Sequence, residues 1–500
     1  MSNPPNKNDP INIVGAGIFG LSTALHLARR GYTKVTVFDK QPYAQTQYSY
    51  LNGCDAASAD INKIIRSGYG AQTVYQDLTV ESITGWESWN EDLASGQDLP
   101  PGMTTRDRVF VNNGHLVLTD QDTLPPFELA TIANMEAAGY RDTQLTTTDP
   151  RHQEIATAKG LGDAIDPFRR KTAGKSNVGV LDTTGGFVVA DKACRLCLHK
   201  AYRLGVTFVL DPVAGAFESL YYGPGSGSSI KVIGIKTKDG QIHHAAMNII
   251  ACGGWTPSLI PQLDDLCEAT AGSVAILKIP RESPLFDRLA PNNFPSWQWK
   301  MRDGAQGGLY GFPRDENGLF KIGYRGTKYT NPVRQRDGRE RSVPITRWSS
   351  GNTNDNNDGK RITAIPRQAL QVIQSFLEEY LPEIAAEGID IFLTRICWYN
   401  DSFDNHLVID RLPGTEGVMV ATGGSGHAFK YLPSIGNWIV DILEGVDMER
   451  PAVKAWQWRR LEKGQTPVNV LMTGSTGSRA LGNVPLSSNT PLQPGGRANL

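Results

Sequence analysis

The chain has 500 residues, 40% of them hydrophobic and 20% charged, with a formal net charge of −1. That length asks for more than one core, and the near-neutral balance gives no electrostatic footprint for nucleic acid or an anionic membrane. No apolar run approaches the roughly 20 residues that cross a bilayer, and Met1–Pro10 is polar, without the apolar stretch of a secretory signal.

In chain order, Ile11-Asn12-Ile13-Val14 predicts a strand, and Gly15-Ala16-Gly17-Ile18-Phe19-Gly20 a turn into a helix that runs to Gly31. Val35–Phe38 is a second strand, ending on Asp39. Gly15 permits the tight turn, Gly17 leaves the backbone open to a pyrophosphate, and Gly20 lets the helix lie close to the strand. Phosphates favour such a helix N-terminus, where free N–H groups and the dipole attract anions. Asp39 stands where an acid accepts ribose hydroxyls. The alternative reading is a glycine-rich turn in an unrelated α/β domain.

Ala59–Gly70 carries Lys63 and Arg66, which are three apart and could equally form one solvated helical face. Val80–Leu93 reads as a helix with Trp86 and Trp89, and Val109–Leu118 as two strands about an Asn113-Gly114 turn. Ala190–Leu204 is helical and contains Cys194 and Cys197. No second pair stands nearby, so these two read as helix packing rather than zinc ligands. A strand at Val206–Leu210 follows, then a hairpin-like stretch, Ile230–Ile242, turning at Asp239-Gly240. Met247–Ala251 is a buried strand that leads into Gly253-Gly254. Val418–Ala421 leads into Gly423-Gly424-Ser425-Gly426, and a helix follows through Ile435 to Leu443. Three strand–glycine junctions on one ligand suit an extended FAD better than NAD. The expected fold class is α/β. A discontinuous Rossmann-like FAD-binding domain (10–75, 185–265 and 395–460) is interleaved with a mixed β-sheet substrate domain (76–184 and 266–394), and 461–500 forms an extended C-terminal tail. The cysteine usage suits a reduced, intracellular protein.

Four segments stand out: Arg395–Asp401 around Cys397, Leu309–Pro313 with Gly318–Arg325, Ser425–Lys430, and Asp60–Gly70. Together they resemble the fungal branch of the sarcosine oxidase family, over nearly the whole chain to about Leu443. That branch includes fructosyl amino acid oxidases (amadoriases), saccharopine oxidase, pipecolate oxidase and N-methyl amino acid oxidases. The resemblance implies FAD, joined through the Cys397 sulfur to the flavin 8α-methyl. From the residues alone, a cysteine between Ile396 and Trp398 also suits a buried core. Lys321 matches a lysine that lies over the flavin near N5 and activates oxygen, since a fixed cation favours negative charge on oxygen. Its alternation with apolar neighbours allows an inward direction or an exposed edge. Lys430 and Arg66 match the cations that hold the substrate carboxylate, Arg66 by a bidentate contact. Lys63 matches a base beside the flavin, and Gly424 and Gly426 admit the cofactor closely. Arg325, assigned to substrate binding, stands where the sarcosine enzymes carry a histidine.

The resemblance further implies oxidation of the secondary amine of an N-substituted α-amino acid. Hydride passes to flavin N5, the imine is hydrolysed or trapped internally, and O2 becomes H2O2. Fructosyl amino acids, saccharopine, pipecolate and N-methylated aromatic amino acids all fit, the last with oxidative cyclisation. Small-molecule partners and a monomer are expected, without nucleic acid, membrane or metal. An amine dehydrogenase with another electron acceptor is the alternative, against which Lys321 argues. A non-catalytic nucleotide-binding protein is a third reading, against which Cys397 and Lys430 argue. Ala498-Asn499-Leu500, after Arg497, resembles a peroxisomal import address that lacks the usual middle base.

Overall fold

Two sheets organise the chain in the computed structural model, which describes residues 4–224, 230–346 and 363–487; the Ala498-Asn499-Leu500 tripeptide lies outside them. The first sheet has the strand order Val408–Arg411, Val418–Thr422, Met247–Ile250, Ile11–Val14, Val35–Asp39, Thr207–Leu210. All neighbours are parallel except the Val408–Arg411 edge strand. Ile11, Ile13, Val37, Ile249 and Val420 are fully buried, as continuous apolar strands covered on both faces must be. On one face the helix Ile18–Arg29 packs between the helices Ile435–Glu444 and Ala190–Arg203. On the other face Val14, Phe38 and Ile250 meet Val232 and Ile235 of a smaller mixed sheet. Cys194 and Cys197 are buried within the Ala190–Arg203 helix.

The second sheet has eight strands: Ile391–Ser402, Cys267–Lys278, Leu319–Tyr329, Leu309–Gly311, Ser296–Trp299, His115–Thr119, Val178–Asp182 and Gln144–Thr146. It is mixed, because Ser296–Trp299 runs parallel to His115–Thr119. One face packs through Trp297 stacked on Phe376 of the helix Arg367–Tyr380. The register fixes the opposite face. Along Cys267–Lys278, Gly272 is opposite Cys397, Val274 opposite Arg395, and Ile276 opposite Lys321. Alternate residues of a strand share a face, so Cys397, Arg395 and Lys321 project together. Over them lies a three-stranded sheet of Asn62–Ile65, Gly186–Val189 and Phe110–Val111.

Several expectations change. Asn113-Gly114 does not close a hairpin. Phe110–Val111 pairs with Gly186–Val189, whereas His115–Thr119 joins the eight-stranded sheet. A two-residue type I′ hairpin needs positive φ at both central positions, and only Gly114 has it, while Asn113 Nδ2 donates to Phe294 O at 2.8 Å. Lys63 lies on a strand rather than on a helical face shared with Arg66. The strand Ile391–Ser402 continues past residue 395 and pairs with Cys267–Leu277, with one register shift between Ile276 and Leu277. The C-terminal segment is tied down as far as Ser487: Arg479 reaches Glu268, and Leu486–Ser487 pairs with Ile365–Pro366. Among the described residues no helix is long and apolar enough to cross a membrane.

Candidate active site

A cavity of about 350 Å³ opens at the carboxyl ends of the parallel strands, where open α/β sheets bind ligands. Gly15, Gly17, Asp39, Gly253, Gly424 and Gly426 line it, together with Lys63 and Trp398–Asn400. Gly15 has φ +107°, and a Cβ on Gly20 would stand 1.8 Å from Gly15 O. Helix and strand can approach this closely only without side chains there. A Cβ on Gly17 would meet only Ser58 Oγ, at 3.0 Å. Gly17 caps the helix and lines the cavity, and Ile18 N of the first turn donates to Ser58 Oγ at 3.2 Å, so this helix N-terminus lies at the cavity wall. Asp39 accepts from Ala16 N at 2.7 Å and Gln41 N at 2.8 Å. Burial raises its pKa and these amides oppose the rise. Both polar atoms of the Gln41 side chain are buried without a partner beside the cavity. A glycine cradle, a helix N-terminus, an acid and an orphaned amide together fit FAD.

Next to this cavity is a buried charge cluster. Asp60 meets Lys63 Nζ at 2.8 Å, Lys321 Nζ at 2.9 Å and Arg395 at 2.9 Å. Lys321 is 0% exposed, donates to Asn62 O at 2.7 Å and lies over the Phe312 ring. Three cations face one acid. Burial would raise the Asp60 carboxyl, but Lys321, Lys63 and Arg395 hold it well below the usual range. Burial lowers Lys321 from 10.5 to about 7, with Asp60 opposing. Burial would also raise the Cys397 thiol, yet Lys63 and then Arg395 outweigh it and leave the thiol more acidic than usual. A thiolate is the nucleophilic form of cysteine.

A second pair of cations gathers around Tyr69. Lys430 Nζ lies 4.6 Å and the Arg66 guanidinium 4.5 Å from the ring centre. Lys430 sits on the turn Ala428–Tyr431, held by Trp86 Nε1 donating to Lys430 O at 2.7 Å. Its ammonium is buried and donates to Arg66 O at 3.3 Å, while Arg66 donates to Gly68 O. Neither cation has an acid within ion-pair distance among the described residues. Burial, then the charge of Arg66, pushes Lys430 well below its ordinary pKa. An anion bound here would relieve both.

Arg325 is not part of that pair. Its guanidinium meets both Asp401 oxygens at 3.0 Å and stacks on Tyr399. It also fills the space under the Gly426 turn, where a Cβ would stand 1.5 Å from it. Burial raises the Asp401 pKa, but Arg325 and Lys328 lower it to about 2. Arg325, expected to bind substrate, is thus paired with Asp401 and lies apart from the Lys430–Arg66 pair.

Residues 11–442 match the family profile described as DAO, FAD dependent oxidoreductase. The chain belongs to this family. As a family member it is similar to L-saccharopine oxidase of Schizosaccharomyces pombe, 26% identical over 459 residues that cover 91% of this chain and 94% of that protein. It is also similar to amino acid oxidase fsqB of Aspergillus fumigatus, 24% identical over 478 residues, covering 85% and 90% of the two chains. Among solved structures, fructosamine oxidase (Amadoriase II) from Aspergillus fumigatus in complex with FSA superposes with a TM-score of 0.68 at 26% identity, covering 91% of this chain and 90% of that one. This member of the family is an enzyme, an FAD-dependent oxidoreductase with a mixed α/β fold.

Sequence reasoning assigned no role to Asp60, Tyr69, Arg395 or Asp401. The signal for Asp60 was an acid followed closely by Asn62 and Lys63 in a segment otherwise rich in small and apolar residues. An acid buried there needs cations, and Lys321 and Arg395, distant in sequence, supply two of the three.

Proposed function

We propose that this FAD-dependent oxidoreductase is an oxidase of the secondary amine of an N-substituted α-amino acid, with O2 as acceptor and H2O2 as product. The carrying observation is the Lys430–Arg66 pair, two cations on one aromatic ring with no acid within ion-pair distance among the described residues. A carboxylate completes that arrangement by charge-assisted hydrogen bonds. Bound FAD supplies the two-electron acceptor for the amine and the donor to oxygen. The residues do the rest. Lys430 and Arg66 fix the carboxylate, and so orient the amine and its neighbouring C–H bond. Tyr69 shields their charges from water. Cys397, held toward its thiolate, is the attachment point of a covalent 8α-S-cysteinyl link. Lys321 is the cation that favours negative charge on oxygen. The similar proteins named saccharopine oxidase and fructosamine oxidase support this substrate class and leave the N-substituent open.

The test is amine-dependent peroxide release from the yellow holoenzyme, screened over fructosyl amino acids, saccharopine, pipecolate and N-methyl amino acids. The expected result is peroxide in step with oxygen uptake for at least one of them. Turnover only with an artificial electron acceptor would instead establish a dehydrogenase.

A further inference from the structure

We propose that Asp60 is a positioning residue that keeps Lys321 protonated and in place; the proposal rests on the oxygen role given to Lys321 above. The geometry is direct. Asp60 Oδ2 is shared by Lys321 Nζ at 2.9 Å and Lys63 Nζ at 2.8 Å, and Oδ1 faces Arg395 at 2.9 Å. Both Asp60 and Lys321 are buried.

Every charged or titratable group packed toward Lys321 bears on the argument. The segment around Asn62–Ile65 brings Asp60 and Lys63. The strand Ile391–Ser402 brings Arg395 and Cys397. The strand Leu309–Gly311 brings Tyr310, whose hydroxyl is hydrogen-bonded to that of Tyr399 at 2.9 Å. Lys63 and Arg395 repel the Lys321 charge, and the Cys397 sulfur carries none in the thioether proposed above. Among the described residues, Asp60 is then the one acid within ion-pair distance of the ammonium. Without it, three cations share a dry pocket. The guanidinium does not give up its proton, and Lys63 is the more exposed of the two lysines. Lys321 is the group that deprotonates. Burial already brings Lys321 to about 7, with Asp60 the first group opposing it.

A lysine is charged below its pKa, so reoxidation assisted by Lys321 falls as pH rises through that value. Losing an opposite charge at this distance moves the fall down by about 1–3 pH units. The experiment uses the holoenzyme and needs no substrate. The flavin is photoreduced without oxygen and mixed with oxygenated buffer over a pH series, in wild type, Asp60→Asn and Asp60→Glu. The expected result is a lower pH midpoint in Asp60→Asn, near-normal rates at the acid end, and recovery of the midpoint in Asp60→Glu. The flavin midpoint potential, measured at the acid end by dye equilibration, should be more positive in Asp60→Asn, because a negative charge is gone while the cations remain. An unchanged midpoint, or an equal loss of rate at every pH, would overturn the proposal. So would an unchanged potential. If Asp60→Asn does not fold, Lys63→Met replaces it. Removing that repelling cation should move the midpoint up, and an unmoved midpoint again overturns the proposal. Lys321→Met separates the two readings. If its reoxidation matches wild type, the oxygen role of Lys321 fails and takes this proposal with it. If it is slow while Asp60→Asn keeps the wild-type midpoint, only the proposal for Asp60 fails.

Discussion

Cys397 shows how a single residue is set by its neighbours. It is buried, yet Lys63 and Arg395 favour its thiolate. Cys397→Ala should still bind FAD through the glycine turns and Asp39, but should release it on acid precipitation, leaving a colourless pellet where wild type stays yellow. Wild-type flavin in the supernatant would contradict the link. Lys321→Met should slow reoxidation by about 10²–10³, the usual cost of removing one preorganised electrostatic group, and change anaerobic reduction by substrate far less. Equal slowing of both half-reactions would remove its oxygen role. Alternation of Lys321 with apolar residues on its strand left both an inward direction and an exposed edge open, and the structure turns it inward, 0% exposed. Asp60 was not legible, since nothing local shows that Lys321 and Arg395 return to it. The Arg325–Asp401 pair was not legible for the same reason. Asp401 lies in the quoted Arg395–Asp401 motif, but only the fold joins the two.

Among the elements, the contact between the helices Ile18–Arg29 and Ile435–Glu444 positions the cofactor end of the site. Gly436 N donates to Ser22 Oγ at 2.8 Å, and Ser22 Oγ donates to Leu432 O at 2.7 Å. A Cβ at Gly436 would stand 2.0 Å from Ser22 O. Gly436→Ala must therefore part the helices, at a cost of about 1–3 kcal/mol or more for overpacking. The expected outcome is a lower melting temperature and weaker FAD retention; an unchanged melting temperature would contradict the close approach. The repeated strand–glycine endings made these elements readable in advance, because each needs an apolar run and a residue without a side chain. Which sheet a strand joins was not readable. The Asn113-Gly114 sequence carries a hairpin signal, but the strands on either side of it are claimed by different sheets.

Over the whole molecule, the chain weaves between two sheets, so both halves should fail together in acid. His26 and His115 are buried and His427 is half-buried, and desolvation lowers them to about 4, 3 and 3 respectively. His26 bonds to Pro433 O, His115 lies in the eight-stranded sheet, and His427 touches Tyr69. Below the ordinary histidine pKa of 6.5 the unfolded chain takes up protons that the folded chain does not. Stability should therefore fall as pH drops from about 6.5 toward 3, before the Asp401 pair is lost near about 2. Thermal unfolding over that range checks this, and a flat profile would contradict it. The central claim is that two cations, Lys430 and Arg66, recognise the carboxylate of an amino acid whose amine is oxidised. It is tested most directly by anaerobic flavin reduction with an accepted N-substituted amino acid and its decarboxylated amine, in wild type and Lys430→Ala. Losing a charged hydrogen bond costs about 1.5–3 kcal/mol, so Lys430→Ala should weaken the amino acid by about ten- to a hundredfold. The decarboxylated amine should change little. Equal weakening of both, or a wild type that does not distinguish them, would contradict the account.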